Sequence, residues 1–157
     1  MTSLDLRHTV ATVAYRAAKV LRNAPDTFSD FRPGPGSRTA GEILAHMGDL
    51  FDWALTQAKG TQAWRNAPLQ SWSADTDRFF AALTALDAYL ATNETLGATP
   101  EKLFQGAIAD ALTHVGQIAM MRRLAGAQIR GENYYKASIA TGLTSAAQPA
   151  RRRIIAI

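Results

Sequence analysis

Cysteine is absent from the chain. That excludes a disulfide framework, and it excludes a protein thiolate as nucleophile or metal ligand. No run of about 18 apolar residues free of charge occurs, so no membrane-spanning helix is expected. The opening "MTSLDLRHTV" lacks the basic segment and apolar run of a secretory signal, which makes a soluble cytoplasmic location the expectation. Convincing strand patterns before the last residues, internal repeats and low-complexity tracts are lacking too, which leaves helices to carry the fold.

What is present begins with bulk. A length of 157 residues at 47% hydrophobic composition has room for a proper core, and a single domain spanning 1–157 is expected. The isoelectric point near 9.8 raises the question of nucleic acid. Residues 1–126, however, hold 12 basic and 12 acidic side chains, so the whole excess of +4 lies in 127–157. Most of it is the triplet Arg151–Arg153. A phosphate-binding surface needs a basic face with many contacts, and a solvated or carboxylate-paired tail accounts for the charge instead.

Four helices are expected. The first spans about 3–23, with Leu6, Val10, Val13, Ala17, Val20 and Leu21 at helical spacing and Pro25 as its stop. A loop, "PDTFSDFRPGPGS", follows, too rich in Pro and Gly for a regular element. The second opens at Thr39, where Thr39-x-x-Glu42 forms a capping box, and ends at Gly60. The third runs from about Ser73 to Thr92. The fourth has Thr99 as N-cap and Pro100 at its first position, and closes at Gly126. Such helices pack most simply as an antiparallel four-helix bundle over about 3–126. The tail 127–157 is expected to lie on it, with "ENYYKASIATG" across the bundle and the apolar end "RIIAI" covered.

The fourth helix, "FQGAIADALTHVGQIAMMRRLAG", carries polar residues within an apolar pattern. Leu103, Ala107, Asp110, His114, Ile118 and Met121 share a face at steps of three and four, and Gln117 follows one turn beyond His114. His46 holds the corresponding place on the second helix, between Ile43 and Met47. Buried without partners, such groups cost a few kcal/mol each. Two arrangements satisfy them. In one, His46 is a core histidine and Asp110–His114 an in-helix pair. In the other, His46, Asp110 and His114 converge on a divalent metal as a 2-His-1-carboxylate set, of the kind that facing bundle helices build.

"GSRTAGEILAHMGDLFDW" and "ADALTHVGQIAMMRRLAG" together resemble the DinB-like superfamily of four-helix-bundle metal proteins. The likeness spans roughly 4–126. It rests on an E-x-x-x-H run ending at His46 and an H-x-G-Q run beginning at His114. The resemblance implies three metal ligands, one from the second helix and an i, i+4 pair from the fourth. His46 and His114 match family histidines, whereas Asp110 stands where the family more often has His. That carboxylate lowers the site's charge by one and favours Mn, Fe or Ni alongside Zn. Also implied are homodimers, and enzymes that couple low-molecular-weight thiols to electrophiles or hydrolyse such adducts, with the metal as Lewis acid. The tail end "IIAI" beyond Arg151–Arg153 offers an apolar patch for a partner subunit.

Further residues invite roles around this centre. Gln117 is placed to bind a metal-bound water, to orient His46 or to pair with backbone. Arg38 suits either a substrate carboxylate or an exposed salt bridge, and Glu42 is a capping residue that can also serve a ligand. Trp53, Trp64 and Trp72 read as packing residues or as walls of a pocket. Met47, Met120 and Met121 read as core filler, and Gly116 as a helix-packing residue. His8 lies off the metal-bearing helices, and Glu132, Asn133, Tyr134 and Tyr135 are candidates to cover the site's open side. No catalytic acid or base stands out beyond the ligands. The expected function is therefore a metal-dependent thiol transferase or hydrolase acting on a small molecule, with a non-catalytic metal- or ligand-binding module as the alternative.

Overall fold

Thr2 starts the first helix by accepting from the Asp5 amide while the Asp5 carboxylate accepts from the Thr2 amide. A computed structural model describes residues 1–149. Within them α1 covers Ser3–Leu21, α2 Ala40–Ala58, α3 Trp72–Thr92, α4 Pro100–Leu103 and α5 Ala109–Leu124. No strand occurs among the described residues. The protein is an all-α helical bundle in which α1 packs on α3 and α5, and α2 packs on α3 and α5.

Each long helix follows its apolar stripe. Leu6, Val10 and Val13 of α1, Leu44, Met47 and Phe51 of α2, and Phe79, Leu83 and Leu86 of α3 are fully or almost fully buried. Phe51 meets Phe79 edge-on at 5.7 Å between ring centres, joining α2 to α3. Gly60 closes α2 in the left-handed region at φ 87°. It lies so close to Gly97 that a side chain on Gly97 would overlap its backbone, and the Gly97 amide donates to Ala58 at 2.7 Å.

Three departures from the sequence pattern have clear causes. The connection after α1 contains a short 3₁₀ turn, Asp26–Asp30. It seats Phe28 in the core against Trp72 at 5.2 Å, an aromatic burial that Pro and Gly counts conceal. Helix α3 begins at Trp72 because Ser71 is the N-cap, accepting from Ala74. The fourth helix is not continuous: a π turn, Phe104–Ile108, separates α4 from α5, with Gly106 outside helical dihedrals. Such a wide turn shifts the downstream face by about one residue. The buried residues of α5 are Ala111, Val115, Ile118, Met121 and Arg122, and Asp110, His114 and Gln117 lie at their margin.

The tail rests on α1 and α3. Glu132, 1% exposed in its side chain, accepts from Lys19 Nζ at 3.2 Å and from the Tyr15 hydroxyl. Arg16 lies 3.9 Å over the Tyr134 ring, and Thr144 exchanges a hydroxyl hydrogen bond with Thr84 at 2.9 Å. The apolar end and Arg151–Arg153, expected to be covered by the bundle or a second subunit, lie outside the described residues.

Candidate metal centre

His46 reaches the margin between α2 and α5 because the helix begins where its cap dictates. The Thr39 amide donates to Glu42 at 2.6 Å and the Glu42 amide to Thr39 Oγ1 at 3.1 Å. His46 follows one turn later, beside the core residue Met47. Its stretch of α2 is tied to α3 by Arg78, which donates to the Ala45 carbonyl at 2.5 Å, to Asp49 at 3.1 Å and to Asp52 at 3.2 Å. Gly48 leaves space for that guanidinium: a Cβ there would lie 2.6 Å from its central carbon. Asp49 also accepts from the Ala67 amide at 3.2 Å, anchoring the connection that carries Trp64. Sequence reasoning missed Arg78 and Asp49, since their partners lie on separate elements.

Across the gap, α5 presents Asp110 and His114. Asp110 Oδ2 is 3.6 Å from His46 Nε2, and Asp110 Oδ1 is 3.5 Å from His114 Nε2. Both spacings exceed the roughly 2.7–3.2 Å of an N–H···O hydrogen bond. They match an edge between neighbouring metal ligands: with bonds of about 2.1 Å, two ligands at a tetrahedral angle stand about 3.4 Å apart. The two imidazoles meet nearly perpendicular at 5.0 Å between ring centres. One ligand atom from each of the three residues lies within 4.8 Å of the others, a group that can hold a metal ion.

Protonation favours the same use. Burial lowers the His46 pKa below its ordinary value, Arg38 and His114 add to the shift, and Asp110 opposes it. A lowered pKa keeps the imidazole neutral, with a lone pair to donate, at neutral pH. His114 Nδ1 lies 2.8 Å from Gln117 Oε1. In the tautomer whose Nδ1–H donates to that oxygen, Nε2, the atom facing Asp110, is left as donor to an ion. Gln117 therefore orients His114, not His46. If the group holds an ion, Gln117→Leu is expected to weaken metal binding by about 10–100-fold, as loss of such outer partners does. Competition against a fluorescent chelator measures it, and an unchanged affinity would remove Gln117 from the site.

The side chains differ in exposure: His114 12%, His46 21% and Asp110 46%. The carboxylate thus sits at the solvent margin rather than in the core. Trp64 lies against His46 at 5.6 Å and against Trp53 at 5.5 Å, whereas Trp72 turns to the core and donates to Leu21. Met47 and Met121 are buried, but Met120 is 57% exposed and borders a cleft. Glu42 serves its cap and pairs with Arg32 at 3.8 Å. Glu132 and Tyr134, candidates to cover the site, are engaged by α1 instead, and Tyr135 and His8 are exposed.

Clefts adjoin the three ligands. One of about 480 Å³ is walled by Ile43, Met120, Met121 and Leu124 and reaches His114, Gln117 and Arg38. A second, of about 440 Å³, borders Asp110 beside Trp53, and a third, of about 210 Å³, borders His46 and Arg38. No helix of the described residues is long and apolar enough to cross a membrane. No protein-family model, curated protein or solved structure matches the chain.

Proposed function

We propose that this chain is a divalent-metal-dependent enzyme of the DinB-like kind, on an antiparallel four-helix bundle, acting on a small electrophilic molecule as a thiol transferase or a hydrolase. The observation that carries the reading is the pair of Nε2 atoms, from different helices, facing the two oxygens of one carboxylate at 3.6 and 3.5 Å. His46, Asp110 and His114 would hold the ion, and their mixed nitrogen and oxygen set suits Zn, Ni, Mn or Fe. Bound there, a divalent ion supplies Lewis acidity that brings a thiol or a water toward ionisation near neutral pH. With no cysteine in the chain, the nucleophile comes from a second substrate or from water.

The chain's own groups prepare that chemistry. Gln117 lies 2.8 Å from His114 Nδ1, where it can hold the ring, and Arg78 with Asp49 holds α2 and the Trp64 connection in register. Three protein ligands on one side, with Asp110 half-exposed, favour catalysis over a structural site closed by four. The cleft of about 480 Å³ beside His114 has the size of a small-molecule site. Metal analysis of protein purified without an affinity tag is expected to find about one divalent ion per chain. Absence of metal after equilibration with Zn, Ni, Mn and Fe salts would overturn the reading.

A further inference from the structure

Arg38 is exposed and forms no salt bridge among the described residues, although its charge acts on Glu42. Glu42, the carboxylate one turn along, is taken by the Thr39 amide at 2.6 Å and by Arg32 at 3.8 Å. The Arg38 guanidinium borders both the cleft of about 480 Å³ and the smaller one at His46. The larger cleft is otherwise apolar, with Pro33, Ile43, Met120, Met121 and Leu124 as walls, and its other polar groups are Ser37, His114 and Gln117. An apolar chamber with one cation at its mouth and His114 at another wall selects a ligand with matching parts.

We infer that Arg38 is the specificity-determining residue of this cleft, and that the ligand is a small molecule with an apolar body and one carboxylate. The carboxylate pairs with the guanidinium, which offers a planar fork of donors suited to it. The apolar body fills the space between Ile43, Met121 and Leu124, and the remaining end faces His114. The inference takes the substrate class of the proposed enzyme one step further and rests on that reading for its catalytic meaning. Carboxylate binding itself does not require the ion.

The test uses the full chain, Zn-loaded and metal-free, with 4-phenylbutyrate and its uncharged amide as probes in calorimetric titration. Wild type is expected to bind the acid more tightly than the amide in both metal states. Arg38→Gln should weaken acid binding about tenfold, as loss of a charge-assisted bond does, and leave amide binding unchanged. Equal affinity for acid and amide, equal affinity of wild type and variant, or no saturable binding at millimolar acid would each overturn the inference. So would acid binding that needs zinc and ignores Arg38, because the carboxylate would then be ligating the ion. Should the variant misfold, the acid–amide comparison in wild type decides alone. Failure of the protein to take up metal, with the Arg38 effect intact in the metal-free arm, would sink the enzyme reading and leave this one standing.

Discussion

Asp110→Ala is expected to lose stoichiometric metal while keeping the helical fold. Removal of an outer hydrogen-bond partner already costs about 10–100-fold in metal affinity, so deletion of a ligand shared between two imidazoles should cost more than about 100-fold. The fold should survive: Ala is the best helix former, and Asp110 is half-exposed, so little packing is lost. Asp110→His should retain metal, since it replaces one good ligand with another, but it adds one unit of charge and should shift the preference among ions. Metal per chain by elemental analysis, alongside circular dichroism, measures both variants. Full metal retention in Asp110→Ala would reduce the cluster to an ion pair and remove the 2-His-1-carboxylate site.

The largest loss of stability is expected at Arg122→Met. This guanidinium is 5% exposed and serves as a plug for the end of α1. It donates to the carbonyls of Val20 at 3.0 Å, Arg22 at 2.6 Å and Asn23 at 3.2 Å, and to Ala127 at 3.0 Å. The last carbonyls of a helix lack internal partners and carry its negative pole, so a cation there satisfies both. Met matches the stem but strands those acceptors, at a cost of about 3–5 kcal/mol. Arg123, the next residue, is exposed, and Arg123→Met should change stability by no more than about 0.5 kcal/mol. Urea unfolding of the two variants decides it; equal losses would contradict the role given to Arg122.

That neighbouring pair shows where legibility in the sequence ends. Thr39-x-x-Glu42 and Thr99-Pro100 marked helix starts because capping is local chemistry between residues a few positions apart. His46, Asp110 and His114 were legible as polar residues in need of partners, with an in-helix pair and a metal set both open, and the fold brings one ligand atom of each within 4.8 Å of the others. Arg122 and Arg123, in contrast, are the same letter twice. Only the approach of α1 to α5 makes one a buried cap and leaves the other in solvent.

The π turn at Phe104–Ile108 had the same status. Read straight through, the helical period put Asp110 inward; the structure leaves it at the margin, with 46% of its side chain exposed. The sequence by itself determined the all-helical class and the capped starts at Thr39 and Thr99, since each rests on spacing within one segment. Tertiary structure decided that Gln117 serves His114, that Arg78 and Asp49 brace α2, and that Arg38 is left without a carboxylate. Those outcomes depend on which side chains from distant segments arrive first at a shared acceptor, a competition settled by the packing of whole helices.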